Sequence, residues 1–170
     1  MTSSTFSIEV GSFAELQDDF VRLTTRIVWC TVATIDQKDR PRTRILHVSW
    51  EIDDGRPVGW VATFRSPIKT AHLARNPYVS CCYWTSAHDA VFADCQASWI
   101  DGSEVKRHVW DLTAREGARL GYDPYTVWEA GPTDPLFEVL RFDPWRVQIT
   151  LQDLLGGRTI GSSRVWHAPA

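Results

Sequence analysis

VATFRSPIKTAHLARNP, residues 61–77, runs a β-branched stretch directly into a helix, and that switch decides how the rest of the chain is read. Val58 to Phe64 has the composition of a strand. Ser66-Pro67 then reads as an N-cap with proline at the first helical position, and Asn76-Pro77 ends the helix because a residue before proline avoids the helical region. Thr63, Arg65, Ser66 and Lys69 gather at the junction. A helix start offers unpaired N–H groups and a partial positive charge, and hydroxyls with a Lys or Arg add donors, so the junction suits an anion. Taken alone, the same residues also describe a capped helix with solvated charges.

Working upstream, Asp53-Asp54-Gly55 is a turn, Arg42 to Trp50 a strand, DQKDR a break, and Ile27 to Ile35 another strand, which together suggest an antiparallel meander. Alternation puts Arg42, Arg44, Leu46, Val48 and Trp50 on one face and Thr43, Ile45, His47 and Ser49 on the other. Two arginines on one strand face mark either a solvated edge or a contact with a ligand whose phosphate or ring oxygens accept hydrogen bonds. Further upstream, Ser12-Phe13-Ala14-Glu15 has the form of a capping box. Phe13, Leu16, Phe20 and Leu23 follow at helical spacing, predicting an amphipathic helix that lies against the sheet.

Downstream, Tyr78 to Trp84 and Val91 to Ile100 read as strands around the TSAHD turn, and Ser103 to Leu120 as a helix with Gly121 just past its end. Residues 122–135 read as a loop. Leu136 to Phe142 and Trp145 to Leu151 read as two strands broken by Asp143-Pro144. Six or seven strands, mostly apolar, with peripheral helices predict a mainly β fold: a closed or nearly closed barrel. The glycines Gly156, Gly157 and Gly161 follow no strand-to-helix switch, so they make no dinucleotide fingerprint. A length of 170 residues suits one domain, spanning 1–170 with a barrel core at about 26–151.

Composition narrows the function. Hydrophobic residues at 44% and charged residues at 23% are those of a globular protein. A formal charge of -3 gives no basic field for nucleic acid. No apolar run approaches the roughly 20 residues of a membrane span, and the start MTSSTFSIEV has no leader pattern, so a cytoplasmic protein is expected. Cys30, Cys81, Cys82 and Cys95 lack zinc or disulfide spacing and read as reduced structural thiols, with no metal site expected. The five histidines are dispersed and form no triad or zinc pair. The many tryptophans read mainly as core and subunit packing, with Trp145 and Trp166 as candidates to line a cleft.

The run CTVATIDQKDRPRTRILHVSWE through GWVATFRSPIKTAHLARNPYVSCCYW is similar to the cofactor-binding core of the pyridoxamine-5′-phosphate-oxidase-like family. That pattern has a first strand, a turn ending in Gly-x-Pro or its like, a strand bearing arginine, then Thr, a Lys six residues on, and Asn-Pro seven beyond. Arg40-Pro41-Arg42, Arg44, Thr63, Lys69 and Asn76-Pro77 stand in that register. KRHVWDL resembles the family's helix, and GPTDPLFEVLRFDPWRVQIT its closing loop and strand pair. The chain departs from the family at Pro67, where serine is common, and at Cys95, where the fifth strand often carries glycine. Its end, SSRVWHAPA, lacks the Arg-x-His segment of a true pyridoxamine-phosphate oxidase, so vitamin B6 oxidation is not expected.

The resemblance implies a homodimeric split barrel that binds FMN at the subunit interface and acts as a flavin-dependent oxidoreductase on a small-molecule substrate. By position, Thr63 and Lys69, with Arg65 and Ser66 beside them, would hold the phosphate, and Arg44, Ile45 and Leu46 would run along the flavin. The catalytic residues stay unassigned, since a flavin supplies its own redox chemistry. His47, on the flanking strand, is a candidate substrate contact. Lys69 is expected to be exposed, important for FMN and unimportant for stability. The same fold with the deazaflavin F420, or a flavin-binding sensor without turnover, are the alternatives.

Overall fold

The computed structural model describes residues 7–152 and 163–169. Its elements, in chain order, are β1 (Ser7–Glu9), α1 (Ala14–Ile27), β2 (Trp29–Ile35), β3 (Pro41–His47), β4 (Ser49–Asp53), β5 (Arg56–Thr63), α2 (Pro67–Arg75), β6 (Tyr78–Trp84), β7 (Ala90–Ile100), α3 (Ser103–Leu120), β8 (Glu138–Thr150) and β9 (Ser163–His167). Short 3-10 turns at Pro124–Thr126 and Gly131–Thr133 fill the loop after α3. The sheet runs β1-β9-β8-β7-β6-β2-β3, and β5 joins it through β8 while pairing with β4 on its other side. The inward faces of these strands meet in one core that includes Val32, Val61, Cys81, Tyr83, Phe142 and Ile149. This is a split β-barrel.

Among the described residues nine strands replace the six or seven expected, and the differences have local causes. The stretch 42–50 is two strands, not one. β3 pairs with β2 as far as His47↔Trp29, whereas β4 begins its pairing with β5 at Ser49↔Trp60, so the chain changes partner at Val48 and buries that side chain. The first strands are therefore two separate pairs rather than a meander. Conversely, β8 is a single strand where two were expected. Its neighbour on one side changes from β5, last paired at Phe142, to β9, first paired at Arg146. Pro144 falls in that gap, opposite the irregularity between Asp94 and Cys95 on β7, where a missing N–H is tolerated. Cys95 keeps a negative φ there, so the glycine common in the family is not needed.

Helix α1 buries Leu16, Phe20 and Leu23 as their spacing predicts. Its N-terminus is only half a capping box. Glu15 accepts from the backbone N–H groups of Gly11 and Ser12 at 3.0 and 3.1 Å, but Phe13 takes the N-cap position and Ser12 caps nothing. Phe13 instead packs edge-on against Phe20 and Trp166, with centroids 5.3 and 5.4 Å apart. Trp166 is thus core, while Trp145 stays exposed. Residues 156, 157 and 161 lie outside the described residues.

Candidate functional site

Strand β5 delivers Thr63 to the point where α2 begins. Ser66 caps α2, its hydroxyl accepting from the Lys69 N–H at 3.3 Å. One turn into the helix, the Lys69 side chain folds back: its ammonium donates to the Thr63 hydroxyl and, at 3.0 Å, to the Phe64 carbonyl. Lys69 is therefore buried, with 9% of its surface exposed, which corrects the exposed lysine expected from sequence. Burial and the nearby Arg44 guanidinium pull its pKa down to about 8.

Arg44 enters from β3, half-buried, and donates to the Thr34 hydroxyl of β2 at 2.9 Å. Burial, with Arg42 nearby, lowers its pKa as well. Thr34 lies 3.2 Å from His72 Nδ1 on α2, so a hydrogen-bonded relay joins β3, β2 and α2. Arg65 approaches from the other side, its guanidinium 4.7 Å from the Trp99 ring centre and 3.5 Å from Asp101. The Lys69 ammonium lies 6.0 Å from the same ring. The Trp99 indole N–H is buried without a hydrogen-bond partner.

The structure thus brings together Thr63, Ser66 and Lys69, with Arg44 and Arg65 alongside. Ile45 and Leu46 diverge from them: Ile45 is 60% exposed on the opposite strand face, and Leu46 packs against the core. Thr34, His72 and Trp99 were not legible as site residues, because each joins through strand register or tertiary packing rather than spacing. His47 also faces away from the cluster. It is packed against Trp29 with centroids 6.1 Å apart and lies 3.5 Å from Glu116 of α3. Burial holds its pKa down, and Glu116 opposes this.

The charge balance decides what the cluster can do. Among the described residues neither Arg44 nor Lys69 has a carboxylate partner, although Lys69 is buried and Arg44 half-buried. Cations in such a setting are costly unless something anionic joins them. Two uncompensated cations, two hydroxyls and a helix start make a donor set fitted to a phosphate dianion. A metal is a poor fit to that set, and no group of three His, Cys, Asp or Glu side chains among the described residues is placed to hold one. At the C-terminal end, Arg164 pairs with Asp19 and His167 with Glu9, so both are engaged in tying the terminus to the N-terminal segment.

The family profile described as pyridoxamine 5′-phosphate oxidase matches residues 16–151, well over half of the chain. The chain belongs to the pyridoxamine-5′-phosphate-oxidase-like family. A Clostridium acetobutylicum protein related to general stress protein 26 of B. subtilis superposes with a TM-score of 0.66 at 14% identity, over 81% of this chain and 89% of that one. General stress protein 26 of Bacillus anthracis gives 0.60 at 18%, over 79% and 93%. A pyridoxamine 5′-phosphate oxidase-related, FMN binding protein of Nostoc punctiforme gives 0.58 at 14%, over 95% and 98%. At these identities the likeness is one of fold. No curated protein matches the chain. Among the described residues no helix is long and apolar enough to cross a membrane.

Proposed function

We propose that this family member is a single-domain, FMN-binding oxidoreductase acting on a small molecule. The observation that carries the reading is the pair of carboxylate-free cations, buried Lys69 meeting Thr63 at the start of α2 and half-buried Arg44 beside it. In this reading Thr63, Ser66 and Lys69 bind the FMN phosphate, Arg65 closes over it from its Trp99 platform, and Arg44 supplies positive charge beside the ring. Bound FMN would supply the hydride and electron chemistry, leaving the protein to orient it and exclude water. An FMN-binding structural neighbour supports the choice of cofactor.

Exposed Phe64, whose carbonyl accepts from the Lys69 ammonium, lies beside the cations. Apolar surface of this kind beside a polar site supports a homodimer whose second protomer completes it. Four free thiols fit the reducing cytoplasm.

The test is titration of the purified protein with FMN and F420, followed by rapid-mixing reduction with NADH or NADPH. Saturable FMN binding, tighter than F420 and followed by reduction and substrate-dependent reoxidation, is the expected result. A protein that binds F420 more tightly, or neither, overturns the cofactor assignment. One that binds FMN but never turns over is a flavin carrier.

A further inference from the structure

A second cleft, of about 350 Å³, lies between the 36–40 turn and the outer face of α2. Pro67, Ile68, Ala71 and His72 form its helical wall, at positions that share one face of a helix. Three of these are apolar, and Ile68 is 69% exposed, an apolar surface with no intramolecular cover. On the opposite wall, Asp36 is neutralised by Arg40 through Nε at 3.0 Å and Nη2 at 2.9 Å. Lys38, beside them, has no carboxylate partner among the described residues, so it leaves the cleft with a net positive charge.

His72 points to a ligand independently. Its side chain is buried, with 7% exposed. Nδ1 meets Thr34, and Nε2 makes no hydrogen bond within the described residues. Thr34 already accepts from Arg44, and its own hydrogen has two acceptors in reach: His72 Nδ1 at 3.2 Å and the Arg42 carbonyl at 3.5 Å. The closer acceptor leaves the proton of neutral His72 on Nε2, as a donor to the cleft.

From the apolar wall, the unpaired Lys38 and the open His72 nitrogen, we infer that this cleft binds an aromatic ring carrying an anionic group. The ring lies on Pro67, Ile68 and Ala71, a ring or ribose acceptor takes the His72 N–H, and the anion meets Lys38. The volume is at the small end of ligand clefts, which suits one nucleotide and not a dinucleotide. The cleft shares His72 with the Arg44–Thr34 relay, but neither Lys69, Arg44 nor Thr63 lines it, and it does not require that the cluster bind FMN.

The experiment is calorimetric titration of the full-length protein with AMP, with ribose 5-phosphate and adenosine as ring-free and anion-free controls. It is run on the parent and on Lys38→Ala and Ala71→Glu, with FMN titrated into each. AMP is expected to saturate the parent about tenfold more tightly than either control, and both substitutions should weaken it about tenfold or more. FMN affinity, like the circular dichroism spectrum, should be unchanged in both variants. Absence of saturable AMP binding at millimolar concentration, or AMP binding that both variants retain, overturns the cleft assignment. If FMN binds and AMP does not, only the cleft assignment fails. If AMP binds and FMN does not, the cleft stands and the flavin reading fails.

Discussion

Lys69 donates to Thr63 across the junction of β5 and α2, so the ammonium is held in place by its own chain before any ligand arrives. Both residues are buried, and the ammonium's other hydrogen bond goes to the Phe64 carbonyl. A charge held this way is preorganised for an anion and unfavourable without one.

Lys69→Met separates these effects. The methionine stem fills similar space, while the desolvated charge disappears, so ligand-free stability should rise by about 1 kcal/mol. FMN loses a charge-assisted bond of about 1.5–3 kcal/mol, and its affinity should fall roughly ten- to a hundredfold. Thermal melts with and without FMN check both at once. A variant that melts well below the parent in the absence of FMN would show that Lys69 is structural.

Lys69 also sets a pH dependence. Its pKa is pulled from 10.5 to about 8 by burial and by Arg44. Between those values the unfolded chain holds a proton that the folded ligand-free chain has released, so the contribution of Lys69 to stability rises with pH across that window. Anion affinity moves the other way. Below the folded pKa the ammonium is already present, and above it binding must recover a proton, costing up to about tenfold in affinity per pH unit. FMN dissociation constants measured from about pH 7 to about pH 10 should rise accordingly. They should be flat in Lys69→Arg, which stays charged throughout. A flat profile in the parent would remove Lys69 from the phosphate site.

Local signals in the sequence were sufficient for α2 and its cap, for α3 with its left-handed Gly121, and for β2, β5, β6 and β7, because each rests on spacing within one element. The break at Val48 was hidden because apolar alternation continues through it: Val48 and Trp50 both serve the core, and only their partners change. Strands β1 and β9 pair with each other across the length of the chain, a relationship that short-range pattern does not carry. The site divides in the same way. Thr63, Ser66 and Lys69 are close in sequence and were legible, whereas Thr34 reaches Arg44 only through the β2–β3 register, and Trp99 reaches Arg65 only through tertiary packing.

Gly59 tests the partner change at Val48. A Cβ built on Gly59 would lie 2.8 Å from Val48 Cγ1 and 2.8 Å from Trp50 Cζ3. Neither can yield easily, since Val48 is buried and the Trp50 indole is fixed by Phe20, 5.0 Å away, and by a 2.8 Å bond to Tyr83. The backbone is free of positive φ there, so the penalty is steric alone. Gly59→Ala should lower stability by about 1–3 kcal/mol in denaturant unfolding. A neutral result would mean that β4 and β5 lie farther apart than the register implies.

Trp99 offers the closing test, because its ring and its N–H have opposite consequences. The ring supports Arg65 at 4.7 Å, and Asp101, 3.5 Å from Arg65, is largely exposed and a weak anchor by comparison. The indole N–H is buried and unpaired, a cost that a hydrocarbon ring would not carry. Trp99→Phe should therefore keep the platform and drop the penalty, leaving stability within about 1 kcal/mol of the parent and FMN affinity within about threefold. Trp99→Ala should release Arg65 and open a cavity, costing about 2–4 kcal/mol of stability and weakening FMN about tenfold. Melting curves and FMN titrations of the two variants decide between these roles. If Trp99→Phe loses FMN as severely as Trp99→Ala, the indole N–H itself contacts the cofactor, and the orphaned donor is part of the binding site.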